Sequence, residues 1–374
     1  MYKLIFANTI GASHIRHNMP CQDFGLVKET ENYKVFVVSD GHGDPSCFRS
    51  DRGSRFICET VAEILPKFIE SIVDDSKYLL YELDKNILKQ LSTSIIGTWL
   101  CKIEEDTTID PITSEAIANF ETMTKKRIGE KIAEEYKRNI RVERAYGCTL
   151  IAGILTDDFL FLMHHGDGRC IVVDEDGDVI QPVPWDNRCV GSITTSCCDR
   201  DAIDNIRYSI IDLNKHKVSA CFLSSDGVED SFASTDAMYS YFLDNILFAV
   251  NNGVEELSNH LADTLPKLSE LGSSDDITIA GILDVELCTP FADKFKTFSK
   301  RVELEVSLDK TEDKIRSILN GGLYAHLKKN YEKLQSEFDE VKREYDKLSE
   351  FGLYEDGTKV TEDPKTIFAR LDVN

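Results

Sequence analysis

The sequence predicts an α+β layered domain, two face-to-face sheets covered by helices, and three observations lead there. Short apolar runs of strand character occur in two blocks, one near the N-terminus and one after about residue 148. Between the blocks lie segments whose apolar residues recur at steps of three and four, the period of amphipathic helices. An acidic residue touches the end of four of the strand-like runs, which marks one end of the sheets as chemically special.

Taken in order, strand-like segments occupy about 2–8 and 33–39. From Gly53 to Ile72 the residues Phe56, Ile57, Val61, Ile64, Leu65, Phe68 and Ile72 form an amphipathic helix. A second helix is expected over about 77–104 through Leu79, Leu83, Ile87, Leu91, Ile95, Ile96 and Leu100, and a third, more charged, over about 115–140. Strands return at 148–155, 158–164, 169–173, 178–181, 206–212, 218–225 and 277–284, with a helical stretch of about 235–269 between the last two. Pro182, Pro184, Gly191 and several Ser and Thr residues make 182–205 read as a mobile flap beside the sheet ends.

Beyond about residue 290 the character changes. Val302, Leu304, Val306 and Leu308 alternate as a strand would, and a short helix to Asn320 is stopped by Gly321-Gly322. Leu327, Tyr331, Leu334, Phe338, Val341, Tyr345 and Leu348 then keep four-three spacing, a heptad seam within about 323–350. Such a seam serves either a helix docked on its own chain or a coiled coil pairing two chains. The division expected is 1–290 as the core domain and 291–374 as an extension.

The acidic signals are Asp40-Gly41-His42-Gly43, Gly166-Asp167, Asp226-Gly227 and Asp275-Asp276. Convergent carboxylates repel one another in a low-dielectric cleft, so a cluster of them calls for cations, and oxygen-only ligation favours Mg²⁺ or Mn²⁺ over zinc. Asp-Gly at a strand end is also the commonest hairpin signal, because Gly accepts positive φ. Asp174 to Asp178, between two short apolar runs, fits that plainer account.

With 42% hydrophobic and 29% charged residues, the composition is that of an ordinary globular protein with a sizeable core. Lys plus Arg total 43 against 66 Asp plus Glu, a net charge of −23 that disfavours nucleic acid and anionic membrane as partners. The 11 cysteines are scattered without a CxxC pair, so neither a disulfide framework nor a zinc site is expected, and a reducing cytoplasm is the natural compartment. No apolar run is long enough to span a bilayer.

PCQD at 20–23, VVSDGHG at 37–43, YGCTL at 146–150, GDGR at 166–169, SSDG at 224–227 and SDD at 274–276 occur in that order. This set resembles the PPM-type metal-dependent serine/threonine phosphatases, the protein phosphatase 2C family, and within them a bacterial branch beginning with SH and PCQD. The resemblance implies a four-layer α-β-β-α sandwich, two antiparallel sheets flanked by helices, here with a helical C-terminal extension. It also implies two Mn²⁺ or Mg²⁺ ions with a third and weaker one, a phosphorylated protein as substrate, and a role in signalling. Carried over by position, Asp40 would bridge two metals and Gly41 would lend its carbonyl. Asp226 and Asp275 would complete one shell, Asp23 would act mainly through a bound water, and Asp167 would serve the third ion. His42 takes the place of the general acid. At the offset where many relatives carry a phosphate-gripping arginine this chain has Asn18, which leaves Arg16 as the nearest substitute. Gln22 also stands where many relatives have a second acid.

Those residue types suit the chemistry on their own terms. A phosphomonoester dianion resists hydroxide, so charge neutralisation and an activated nucleophile must be supplied together, and a serine alkoxide leaves only with a proton. A histidine provides one near neutral pH. His14 is expected to orient the first motif through a hydrogen bond, His164 to face the core, and Cys148 and Thr149 to serve packing. Two rivals stand beside this reading. Cys170 to Gly177 imitates the start of haloacid-dehalogenase-type phosphatases, with Asp174 as a covalent nucleophile. A catalytically silent binding module working through the C-terminal helix is the other.

Overall fold

The computed structural model describes residues 1–73, 85–123, 126–191, 193–320 and 333–343. Among these, two units separate by their contacts: Met1–Met238 with Phe248–Pro290, and Tyr239–Leu247 with the described residues from Phe291 onward. The first unit opens with β1 (Lys3–Thr9), α1 (Ala12–His17), β2 (Phe24–Glu29) and β3 (Lys34–Ser39). Four helices follow: α2 (Ser50–Val73), α3 (Lys85–Ile109), α4 (Ser114–Met123) and α5 (Lys126–Lys137). Strands then resume with β4 (Leu150–Leu155), β5 (Phe159–His165), β6 (Arg169–Val173) and β7 (Val179–Ile180). After α6 (Ala202–Asn205) come β8 (Arg207–Asp212), β9 (Ala220–Ser224), α7 (Asp226–Glu229), α8 (Thr235–Asn252), α9 (Val254–Leu271), β10 (Ile277–Leu283) and α10 (Val285–Cys288). The last named helix is α11 (Ala292–Asn320).

Two five-stranded antiparallel sheets result, ordered β1-β10-β9-β6-β7 and β2-β3-β4-β5-β8. Alternation along single strands shows why their sequences read as continuous apolar runs. Phe36, Val38, Ile151, Leu160 and Leu162 of one sheet meet Cys170, Val172, Cys221, Leu223, Ala280 and Ile282 of the other. Their neighbours Val35, Val37, Ala152, Ile154, Phe159 and Phe161 face the opposite way, onto Ile57, Val61, Leu65 and Trp99 of α2 and α3. Both faces of the second sheet are therefore buried, as in a sandwich with a helical layer outside. On the far side α9 lies along β1 with Leu257, Leu261 and Leu265 buried.

Several expectations need correction. The strand β2 escapes a pattern reading because it is short, carries Lys28 and Glu29, and lies at a sheet edge where burial is partial. Residues 115–140 form two helices, α4 and α5. The stretch 235–269 is also two helices, broken at Gly253, whose φ of 96° belongs to the region that favours glycine. Residues 302–308, expected as a strand, lie inside α11. Phe295, Arg301, Val302, Leu304 and Leu308 are the buried positions there; 301, 304 and 308 step by three and four and 295 and 302 lie seven apart, so the two-residue alternation is a fragment of a helical face. Of the heptad positions, Leu334, Phe338 and Val341 lie in the helical residues 333–343, with Phe338 fully buried. Leu327, Tyr331, Tyr345 and Leu348, the Gly321-Gly322 stop, and residues 77–84 of the second expected helix lie outside the described residues.

Candidate metal centre

Every acidic motif falls where a strand of the sandwich ends. Asp40 follows β3, Asp167 sits between β5 and β6, Asp226 opens α7 just beyond β9, Asp275 precedes β10, and Asp23 precedes β2. Asp40, Asp167 and Asp226 each turn a carboxylate oxygen to one point, all three within 4.8 Å of one another. Both sheets contribute, since β3 and β5 belong to one and β6 and β9 to the other.

Strand-end hydrogen bonds fix these side chains. The Asp40 N–H donates to Thr149 Oγ1 at 3.0 Å while the Thr149 N–H donates to the Asp40 carbonyl at 2.8 Å. Ser39 Oγ donates to the Thr149 carbonyl at 2.6 Å, so β3 is locked to the start of β4 at the point where Asp40 emerges. Gly41 bridges to Cys148, and the His42 N–H donates to the Gly147 carbonyl at 3.1 Å. A Cβ at Gly41 would meet the Gln22 carbonyl at 2.5 Å and that of Ser50 at 2.8 Å, so only glycine lets these segments converge. Gln22 is itself buried, its Nε2 donating to Ser50 Oγ at 2.7 Å.

Electrostatics set the cluster apart from a row of turns. Burial, reinforced by the charges of Asp226 and Asp23, pushes the Asp40 carboxyl well above its usual range. Asp226 is pushed up to about 7 by burial, with Asp167 and Asp275 adding to the rise and a bond with Asp40 opposing it. Burial likewise raises Asp23 and Asp275. Asp23 Oδ2 is buried and without a hydrogen-bond partner among the described residues. Several carboxylates that cannot all ionise together, one of them with an orphaned oxygen, are what a divalent cation would satisfy, and the all-oxygen donor set fits Mn²⁺ or Mg²⁺.

His42 lies against this cluster. Burial lowers its pKa, opposed by the charges of Asp167, Asp199 and Asp44. Arg16 is exposed on α1, and Asn18 caps that helix in the left-handed conformation with φ 54°. The 182–205 segment packs on the sheet end through the Cys197 N–H, which donates to the Cys148 carbonyl at 2.8 Å, and through the Ser196 carbonyl, 3.0 Å from His165 Nε2. His164 is buried, and burial together with Arg207 and Arg169 lowers its pKa. Asp174 is the pivot of a hairpin: its Oδ1 accepts the N–H groups of Asp176 and Asp178 at 3.0 and 2.9 Å, and β6 pairs with β7 around it.

A family model described as Protein phosphatase 2C matches residues 10–266, more than half of the chain. The chain belongs to the protein phosphatase 2C family. Membership makes it a metal-dependent serine/threonine protein phosphatase using Mn²⁺ or Mg²⁺, which agrees with the carboxylate cluster and sets both rival readings aside. Among solved structures, a bacterial serine phosphatase is 15% identical, covering 76% of this chain and 98% of its own, with a TM-score of 0.45. The serine/threonine phosphatase Stp1 from Staphylococcus aureus is 14% identical over 76% of this chain and 95% of its own, with a TM-score of 0.44. The catalytic domain of PstP in complex with two manganese ions is 13% identical over 76% and 99%, with a TM-score of 0.40. Comparison with curated proteins returns no match.

Two contributors stand outside the motif reading. Thr149, expected to pack, orients Asp40 from both its hydroxyl and its backbone. Asp276, read only as half of an acidic pair, binds the N-terminal motif instead; the doubled acid and His14 of the SH motif were its signals in the sequence.

Proposed function

We propose that Asp40 bridges two divalent ions with help from the Gly41 carbonyl, that Asp226 and Asp275 complete one shell, that Asp23 serves the other mainly through water, and that Asp167 supports a third and weaker ion. The observation that carries this reading is the meeting of Asp40, Asp167 and Asp226 oxygens within 4.8 Å from three separate strand ends. When bound, the ions supply charge neutralisation for the phosphoryl group and activation of water. Thr149 holds the Asp40 backbone so that its carboxylate keeps one direction, and Gly41 removes the side chain that would keep Gln22 and Ser50 apart. His42 donates the proton that the departing serine or threonine oxygen needs. Arg16 stays the candidate for gripping the substrate phosphate, at the cost of reaching in from an exposed helix face.

The test is hydrolysis of an aryl phosphate and of a phosphoserine peptide with Mn²⁺. Chelator, Asp40→Asn and Asp226→Asn each abolish both reactions, and Asp174→Asn changes neither. Activity that survives the first three and dies with Asp174→Asn would remove the proposal.

Residues 1–290 are proposed as the phosphatase domain, and the protein as a cytoplasmic signalling enzyme, in keeping with its unpaired cysteines; no described helix is long and apolar enough to cross a membrane. For the extension, the four-three spacing of about 323–350 supports pairing of two chains as a coiled coil. The complete burial of Phe338 within one chain favours the second reading, a helix docked on its own chain. Light scattering on the full chain and on residues 1–290 distinguishes them: a dimer that becomes a monomer on truncation supports pairing, and two monomers support docking.

A further inference from the structure

Two segments more than 250 residues apart meet beside the carboxylate cluster, and one buried side chain joins them. Asp276 is 2% exposed. Its Oδ1 accepts the Gly11 N–H at 2.5 Å and its Oδ2 accepts the Gln22 N–H at 2.6 Å. His14 Nδ1 lies 2.9 Å from the same Oδ2. Around this point the Ser13 N–H donates to the Ser274 carbonyl at 2.9 Å and the Ala12 N–H to Ser269 Oγ at 3.0 Å. Ser269 Oγ in turn donates to the Asp275 carbonyl at 2.7 Å. A Cβ on Gly11 would stand 2.5 Å from the Asp275 carbonyl carbon, so the two backbones already touch.

The consequence lies in what flanks Asp276. Asp275 precedes it, and Asp23 follows Gln22. Neither belongs to the trio of converging oxygens, so their placement relative to that trio depends on how residues 11–23 sit on residues 274–276. An ionised carboxylate that accepts several N–H groups is a strong and directional anchor, whereas an amide at the same place would turn an NH₂ toward one of those donors.

We propose that Asp276 is a positioning residue, docking the segment that carries Asp23 onto the strand end that carries Asp275 and so setting the part of the ligand shell that the Asp40, Asp167 and Asp226 trio does not supply. His14 is its counterpart from the N-terminal side. This rests on the metal-centre reading given under Proposed function.

The experiment measures Mn²⁺ binding by calorimetry on the full chain, with hydrogen exchange read in peptides spanning residues 10–23. Replacing an outer partner of a metal ligand costs about 10–100-fold in metal affinity, so Asp276→Asn is expected to weaken Mn²⁺ binding by that factor. It should also speed exchange at the Gly11 and Gln22 amides and recover turnover at saturating Mn²⁺. His14→Gln, a milder change that spares the anchor itself, is expected to weaken binding by about fivefold, the equivalent of one hydrogen bond, and decides the matter should Asp276→Asn fail to fold. Unchanged Mn²⁺ affinity in both variants, even with a lowered melting temperature, overturns the proposal. Asp226→Asn is the reference: if it abolishes binding while the other two do nothing, only the positioning role fails. If it too binds normally, the metal-centre reading itself is lost.

Discussion

Gly53 offers a test in which helix propensity and packing point in opposite directions. It lies early in α2, where alanine would ordinarily stabilise by about 1 kcal/mol. Here a Cβ would stand 1.9 Å from the Tyr146 carbonyl oxygen and 2.7 Å from its carbonyl carbon. Carbon and oxygen need roughly 3.2 Å, so α2 must retreat by about 1.3 Å from a backbone segment that cannot rotate away. Overpacking costs about 1–3 kcal/mol, and a clash with main chain belongs at or beyond the upper end. Retreat also strains the bond from the buried Trp99 Nε1 to the Gly53 carbonyl at 3.0 Å. After subtracting the propensity gain, Gly53→Ala should destabilise by about 2 kcal/mol, a fall in melting temperature of about 3 °C for a domain of this size. Tyr146 leads into Gly147 and Thr149, which hold His42 and Asp40, so Mn²⁺ affinity should fall with it. Differential scanning calorimetry of the metal-free protein, followed by Mn²⁺ titration, measures both. A melting temperature equal to or above that of the parent would refute the reasoning.

Thr149→Val keeps the shape but strands the Asp40 N–H; a loss of about 1–3 kcal/mol in urea unfolding and weaker Mn²⁺ binding are expected. His42→Gln should slow phosphoserine-peptide hydrolysis by about 10²–10⁴-fold, while an aryl phosphate, whose leaving group needs no proton, should lose far less in the same steady-state assay. The pH dependence of the chelated protein follows from Asp226, raised to about 7 by burial. Between about pH 4 and 7 the folded state then binds more protons than the unfolded one, so stability declines as pH rises through that window. His14, raised chiefly by its bond to Asp276, adds loss in the same direction above its ordinary value. Melting temperatures at pH 5.5 and 8 should therefore differ without metal and converge with saturating Mn²⁺, and the difference should shrink in Asp226→Asn, where Asp40, Asp23, Asp275 and His14 keep the rest; a metal-free protein more stable at pH 8 would contradict the signs.

The strands that became the buried centre of the sandwich were legible because both faces are apolar, as Val35 to Val38 and Phe159 to Met163 show. The edge strand β2 was not, since Lys28 and Glu29 face water, Phe24, Leu26 and Val27 are only half-buried, and alternation fades there. Helix boundaries set by one backbone angle, as at Gly253, leave only a glycine in the sequence to mark them. The candidate site divides the same way. Asp40, Asp167 and Asp226 announce themselves by their Gly neighbours, whereas Thr149 and Asp276 act through hydrogen bonds to residues 109 and 254 or more positions away, which no local pattern encodes. In α11 the alternation of Val302 to Leu308 imitates a strand because Phe295 and Arg301, which complete the helical face, lie outside that short window.

The pairing of β1 with β10, Lys3 against Leu283 and Thr9 against Ile277, closes the first sheet only with the strand that is synthesised last among the described residues. The other sheet needs nothing beyond Asp212. On the ligand set proposed above, a growing chain that has made only this second sheet would still lack Asp275, and its metal shell would stay incomplete until β10 is made. Activity would then arise in one late step of synthesis rather than strand by strand.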